Sequence, residues 1–289
     1  MFFETAIVEA FAESLRLARE SGVPWCVIGD GTNLIAADAG YRGLILRLRS
    51  KVIRAEGPVV YVEAGAVLQH LVDFTVAHGL KGLETMTGIP GSVGAAVYGN
   101  AGAYGHSISE RIASVQYLEN GQVRETDNAG CEFQYRESVF KHHKDRIVLS
   151  ARLAMTLADA AELKATAGRI LDTRNRKYPP TMKCAGSIFK NFLYRNLPAP
   201  VAAQVPETAV IEGKVPSAWF LERVEAKGMR VGDIQVANYH ANLIYNDGQG
   251  TARDLVTVVQ ELKRRVREKW GIEVEEEVQY LGFDETAHV

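Results

Sequence analysis

Cysteine is almost missing from this chain: 289 residues contain three, Cys26, Cys131 and Cys184, none near another. An odd and scattered set excludes a disulfide framework and a CxxC metal site, and it suits a reducing compartment, so a cytoplasmic location is expected. No apolar run reaches the roughly 18–20 residues a helix needs to cross a bilayer. No basic stretch followed by an apolar run opens the chain, so neither a signal peptide nor a membrane partner is expected. Charge of one sign is also lacking. The 33 Lys and Arg face 35 Asp and Glu, a net charge of −2, which argues against nucleic acid as a partner. The seven histidines show no HxxxH or HExxH spacing, and no metal is expected. There is no GxSxG elbow, no GxGxxG opening a helix and no GxxxxGK[ST] loop. Internal repeats, charge blocks and low-complexity runs are absent as well.

What is present is an ordinary globular composition with one excess. An apolar fraction of 47% is enough for a sizeable core. The length fits one large or two ordinary domains. Glycine is the excess, at 26 residues, concentrated in two places.

The patterning alternates. Ile7, Val8, Phe11, Leu15 and Ala18 share a helical face that Gly22 would terminate. Trp25–Ile28, Leu44–Leu48 and Val59–Val62 read as strands, and a second amphipathic helix runs from about Val67 to Ala77, ending at Gly79. This predicts an α/β or α+β layer for the first third. Further strands are predicted around Ser114–Leu118, Gln122–Glu125 and Ile147–Met155, then a helix from about Ala161 to Arg176. Tyr178-Pro-Pro180 stops that helix, and a domain boundary is expected in its neighbourhood. Beyond it, Ser217 is expected to cap a short helix that ends by Gly228. Thr251 and Asp254 form a capping-box start to a long helix with the face Leu255, Val258, Val259, Leu262 and Val266, and Val274–Leu281 reads as a last strand.

The first glycine cluster, Gly29-Asp-Gly-Thr-Asn33, follows a strand directly. Successive N–H groups there could form an anion nest suited to a pyrophosphate; a plain tight turn is the alternative. The second is Gly88-Ile-Pro-Gly-Ser-Val-Gly94 followed by Gly99-Asn-Ala-Gly-Ala-Tyr-Gly105. So much glycine costs chain entropy, and the embedded Ile89, Val93, Ala95, Ala96 and Val97 argue for burial against a large flat or phosphate-bearing ligand rather than a surface loop.

At this point the chain resembles a family. GDGTNL at 29–34, GIPGSVGAAVYGNAGAYG at 88–105, YRESVF at 135–140, CAGSIFKN at 184–191, HANLI at 240–244 and EEEVQYLG at 275–282 occur in the order found in UDP-N-acetylenolpyruvoylglucosamine reductases, also called UDP-N-acetylmuramate dehydrogenases. The resemblance implies an α+β protein with an FAD-binding fold of the vanillyl-alcohol-oxidase or p-cresol methylhydroxylase type. Two α/β subdomains at about 1–50 and 51–157 would make an FAD-binding domain, and 158–289 an α+β substrate-binding domain. FAD would be the bound cofactor, NADPH the co-substrate and a UDP-sugar the substrate, in a monomer. Cofactor contacts would come from Gly29, Asp30, Gly31, Thr32, Asn33, Gly88, Ile89, Pro90, Gly91, Ser92, Gly94, Asn100, Ala101 and Gly102. Ser187 is similar to the family's proton donor, Arg136 to its active-site arginine and Glu277 to its carboxylate. Lys177 and Asn191 match substrate-contacting positions, and His240 and Asn242 are expected in the pocket.

Those roles make chemical sense. Hydride added to C3 of an enolpyruvyl group leaves negative charge at C2 and its carboxylate, so one group must stabilise charge and another deliver a proton. A serine hydroxyl is a very weak acid and needs a nearby cation, for which Lys177 and Lys190 are candidates. Taken singly, Ser187 reads as a loop or cap serine, Arg136 as a surface ion-pair residue and Glu277 as part of a solvated strand face. Two other functions compete: a flavin oxidoreductase of the same fold with another small substrate, and a noncatalytic binder of cell-wall nucleotides. The resemblance also departs in places. The Asn-Thr-Phe-type segment and Gly-Gly turn usual before the first helix have no counterpart after Met1, which predicts weakened FAD binding. Leu193–Val215 is longer than the family's usual link, and Gly99 precedes Asn100 where a larger residue is common.

Overall fold

The computed structural model describes residues 1–283. The chain divides into two compact units. One comprises Met1–Thr32 with Arg42–Arg176; the other comprises Asn33–Tyr41 with the chain from Lys177 onward.

The first unit holds two sheets. Three parallel strands lie in the order Phe2–Thr5, Leu44–Leu48, Trp25–Val27. The helix Val8–Glu20 covers them because Phe11 and Leu15 recur on one face and are fully buried, and Gly22 takes φ +62 just past its end. The edge strand Phe2–Thr5 is one that periodicity does not announce. Five antiparallel strands follow, in the order Gln122–Asp127, Ile112–Glu119, Ile147–Ala154, Val59–Glu63, Ile53–Glu56. Their inward residues, among them Val60, Val62, Val115 and Leu153, are inaccessible to solvent. The helices Leu68–Ala77 and Val93–Tyr98 contribute Leu71, Val72, Val93 and Val97 to the same core. The helix Ala160–Lys177 belongs here too, since Leu163 is buried in this core. The compact unit therefore runs to Arg176.

The second unit is built on four antiparallel strands in the order Lys183–Ser187, Leu243–Asn246, Ile234–Val236, Arg230–Val231. The helix Ala252–Trp270 buries Leu255, Val258, Val259, Leu262 and Val266, each worth about 1.5–3 kcal/mol. Both halves of the Thr251–Asp254 capping box form, and Gly271 ends the helix at φ +64. A distant residue adds to the cap. Asp38 accepts from the N–H groups of Ala252 (2.7 Å) and Arg253 (3.1 Å). Asn33–Tyr41 thus belongs to this unit, and its strand Leu34–Ala36 pairs in parallel with Gln279–Leu281. The final strand is shorter than the predicted Val274–Leu281: before it, Glu276 makes only an isolated bridge to Phe189, and Glu275 and Glu276 are held in ion pairs.

Ser217 opens the helix Ser217–Glu222 without capping it; its hydroxyl donates to the Lys190 carbonyl instead. The long link at 193–215 is a hairpin excursion. Phe192–Leu193 pairs with Lys214–Val215, and the loop between them lends Val201 and Val205 to the core.

Candidate active site

In the first unit the two glycine clusters lie against each other. A Cβ on Gly29 would stand 2.6 Å from Ser92 Oγ and 3.1 Å from Ala95 Cβ. A Cβ on Gly91, at φ +113, would stand 3.0 Å from Thr32 Oγ1, and that hydroxyl donates to the Pro90 carbonyl at 3.3 Å. Only bare backbone permits this approach. Among the described residues, none of the N–H groups of Gly29, Asp30, Gly31, Thr32 and Asn33 has a protein acceptor. Gly31, at φ +73, has open space where a side chain would sit. Consecutive unclaimed donors flanking a left-handed glycine are what an anion nest requires. The one acid in the loop does not spoil it, because Arg47 binds the Asp30 carboxylate.

The second cluster is mostly self-satisfied. The N–H of Gly88 goes to Gln69 Oε1 (2.7 Å), that of Ile89 to Met86, and those of Val93 and Gly94 to Ala66 and Ala64. Ser92 caps Val93–Tyr98 by accepting from Ala95 N–H. Asn100 is buried at φ +42. Its amide donates to the Gln134 carbonyl (2.8 Å) and accepts from Ser109 N–H (3.3 Å), so it holds the loop's shape. Ala101 is tied to Ala96 and Ile108. Gly102 sits in a tight hairpin whose partner residue is Ser107, and its carbonyl accepts from Arg136 Nη2 at 2.9 Å. Arg136 is held at φ +61, a strained conformation for a non-glycine residue, and its guanidinium lies 5.3 Å from the Tyr135 ring. Lys141 fixes this corner by donating to the Arg136 carbonyl and pairing with Glu137 at 2.8 Å.

In the second unit Ser187 ends the strand Lys183–Ser187, opposite Leu243. A bulge falls between Cys184 and Ser187, and Gly186 in it takes φ +83. The Ser187 hydroxyl shares a 2.9 Å hydrogen bond with the Tyr178 hydroxyl. Lys177 is one residue away. Its carbonyl accepts from Tyr239 Oη (3.0 Å) and its ammonium lies 5.0 Å from the Tyr178 ring. His240 is coupled to the same cation. Burial first, and Lys177 second, push its imidazole down to about 4, so it is neutral near pH 7. Its Nδ1 accepts from Asn242 N–H at 3.2 Å.

Glu277 lies beside Ser187 through the backbone. Its N–H donates to the Ile188 carbonyl (2.7 Å), and its carbonyl accepts from Asn33 Nδ2 (3.0 Å). The glutamate run is not a uniform solvated face: Glu275 pairs with nearly buried Lys190, and Glu276 with Lys263 at 3.3 Å. Lys190 is therefore a neutralised structural cation. Asn191 Oδ1 accepts from Ser217 N–H at 3.2 Å.

Two expected ligand contacts change character. Asn242 is 2% exposed, and both ends of its amide clasp the Phe189 backbone, so it shapes the segment after Ser187 rather than lining a pocket. The Asn33 side chain is bound to Glu277, which leaves its backbone N–H for a ligand. Sequence reasoning missed Tyr178, which reads there only as a helix stop. Its nine-residue offset from Ser187 becomes a contact only through the intervening turn and bulge. Arg47, which neutralises Asp30, carries no local signal either.

A strand-and-helix unit with a two-loop glycine cradle, and a second unit presenting a serine hydrogen-bonded to a tyrosine, fit an FAD-dependent oxidoreductase. Residues 2–127 match the family model described as an FAD binding domain, and 178–281 the one described as the UDP-N-acetylenolpyruvoylglucosamine reductase C-terminal domain. The UDP-N-acetylenolpyruvoylglucosamine reductase of Solibacter usitatus (strain Ellin6076) is 61% identical over 282 residues, covering 98% of this chain and 90% of the relative. The Gloeobacter violaceus reductase is 36% identical over 286 residues, covering 97% and 89%. The crystal structure of the Thermus caldophilus UDP-N-acetylenolpyruvylglucosamine reductase superposes with a TM-score of 0.74 at 29% identity, over 97% of this chain and 91% of that one. The chain belongs to the UDP-N-acetylenolpyruvoylglucosamine reductase family.

Proposed function

We propose that this chain reduces the enolpyruvyl ether of UDP-N-acetylglucosamine to UDP-N-acetylmuramate, using FAD and NADPH, in the cytoplasmic synthesis of peptidoglycan precursors. The observation that carries the reading is the glycine cradle, whose five unclaimed N–H groups at 29–33 suit the FAD pyrophosphate. Residues 88–94 back that cradle.

Bound FAD supplies hydride, taken from NADPH, for delivery to C3 of the enolpyruvyl group. The chain's own residues manage the charge and the proton. Negative charge appears at C2 and its carboxylate, and the Arg136 guanidinium is the cation assigned to it. Ser187 Oγ gives its proton to C2, so that one hydride and one proton complete the product. Lys177 binds substrate and lowers the cost of negative charge near Ser187. Asn191 and His240 line the substrate site. A neutral imidazole at position 240 can accept or donate a hydrogen bond without adding charge. Glu277 is assigned as the carboxylate beside Ser187, which it helps when protonated or hydrogen-bonded.

The test separates the half-reactions. Ser187→Ala is expected to keep flavin reduction by NADPH and to lose reoxidation by the enolpyruvyl substrate, read by stopped-flow flavin absorbance. Reoxidation at the unmodified rate would remove Ser187 from the reaction. Protein that no added FAD can turn yellow would remove the flavin itself.

A further inference from the structure

We infer that Tyr178 is the positioning residue of the proton-donating serine and its proton resupply. This rests on the reading of Ser187 given above.

Four observations place it there. The Tyr178 and Ser187 hydroxyls are 2.9 Å apart, within range of a good O–H···O bond. Neither group is free to drift. Pro179 and Pro180 restrict the backbone after Tyr178, and the Pro179 carbonyl closes a turn with Met182 N–H. Ser187 is fixed by its pairing with Leu243 and by the Gly186 bulge. The Lys177 ammonium lies over the Tyr178 ring at 5.0 Å, a cation–π contact that helps hold the ring in place. Finally, Tyr239, which is 53% exposed, couples electrostatically to Tyr178 and anchors the Lys177 carbonyl, so the cluster reaches solvent.

The chemistry explains why a phenol belongs there. A serine that has given its proton is an alkoxide, too basic to persist. When Ser187 Oγ–H passes its proton to C2, Oγ takes the Tyr178 Oη proton, and the tyrosinate takes one from water. Each transfer breaks one O–H bond and forms one C–H or O–H bond. Phenols are much stronger acids than aliphatic alcohols, so the second transfer runs downhill. Before reaction the same bond fixes the Ser187 rotamer. The other titratable groups around the pair are Lys177, His240 coupled to it, Glu277 beside the Ser187 segment, Tyr239 and, next to Tyr239, Cys184 and Tyr245.

The test uses the FAD-loaded protein with Tyr178→Phe, which keeps the ring under Lys177 and removes only the hydroxyl. Flavin reduction by NADPH should stay within about twofold. Reoxidation by the enolpyruvyl substrate should slow at least about tenfold, in kcat rather than KM, with a larger solvent deuterium isotope effect because the proton step now limits. An unchanged reoxidation rate and isotope effect would overturn the inference. Ser187→Ala run alongside distinguishes the two readings: if it blocks reoxidation while Tyr178→Phe does not, only the tyrosine assignment falls; if neither blocks it, the serine assignment falls as well. Should the Phe variant fail to fold, 3-fluorotyrosine at 178 serves instead. This more acidic phenol of similar size should move the alkaline limb of the reoxidation pH profile to lower pH, and an unmoved limb overturns the relay.

Discussion

Asn242 holds the backbone of Phe189 at both ends, accepting from its N–H at 2.9 Å and donating to its carbonyl at 2.8 Å. The clasp is buried and ties the chain just beyond the edge strand Lys183–Ser187 to the residue that precedes Leu243–Asn246. Asn242→Ala would leave two buried backbone groups unpaired, at about 1–3 kcal/mol each. We expect a loss of about 2–6 kcal/mol in unfolding free energy, read from urea denaturation midpoints, with FAD content retained in the folded fraction. A variant as stable as the parent would show that the clasp contributes nothing.

The elements that were legible in the sequence are those whose signals are local. Thr251, Asp254 and Gly271 bracket the Ala252–Trp270 helix, and the structure realises both capping bonds and the terminating positive φ. Pairings between distant segments have no such signal. Leu34–Ala36 leaves the first unit's stretch of chain to pair with Gln279–Leu281, and Asp38 caps a helix that begins at Ala252. Nothing near residue 34 announces either event. The same division holds at the candidate site. Glycine loops and the AGS motif are local patterns, whereas Tyr178 meets Ser187, and Arg47 meets Asp30, only after folding.

The close approach of the glycine loops predicts a cofactor defect without a global one. A methyl at position 29 would collide with Ser92 Oγ and Ala95 Cβ. Gly29→Ala must therefore displace the Ser92 hydroxyl that caps Val93–Tyr98 and crowd Ala95, disturbing the contact between the 29–33 loop and the 91–95 segment. FAD affinity should drop at least about tenfold, the equivalent of one lost charge-assisted hydrogen bond. Fluorescence titration of the apoprotein checks this. Equal affinity in parent and variant would show that loop spacing does not set FAD binding.

His240 predicts a pH dependence of stability. Its folded-state value of about 4 lies below the ordinary 6.5, because of burial and then Lys177. The unfolded chain therefore binds more protons between those values. The contribution is fully present above about pH 6.5 and is lost as pH falls toward 4. His240→Gln should flatten that part of the curve of melting temperature against pH. Lys177→Met should make it shallower, by letting the imidazole return toward its ordinary value. Identical slopes in all three proteins would mean that His240 titrates normally in the folded chain.

Arg136 ties backbone strain to charge. Its φ of +61 is held by its own Nη2 bond to the Gly102 carbonyl and by Lys141 on its carbonyl oxygen. A non-glycine residue keeps such a conformation only where the surroundings impose it, at about 1–3 kcal/mol. Arg136→Gly relieves the strain while deleting the guanidinium, so stability should hold or rise even as activity falls. Arg136→Ala keeps the strain and deletes the same charge. If the guanidinium stabilises charge at C2, both variants should lose about 10²–10³-fold in substrate-driven flavin reoxidation and almost nothing in reduction by NADPH. If the arginine only props up the hairpin at Gly102, the glycine and alanine variants should differ from each other, and both half-reactions should decline together. Stopped-flow traces of the two half-reactions, set beside melting temperatures for the two variants, separate these outcomes.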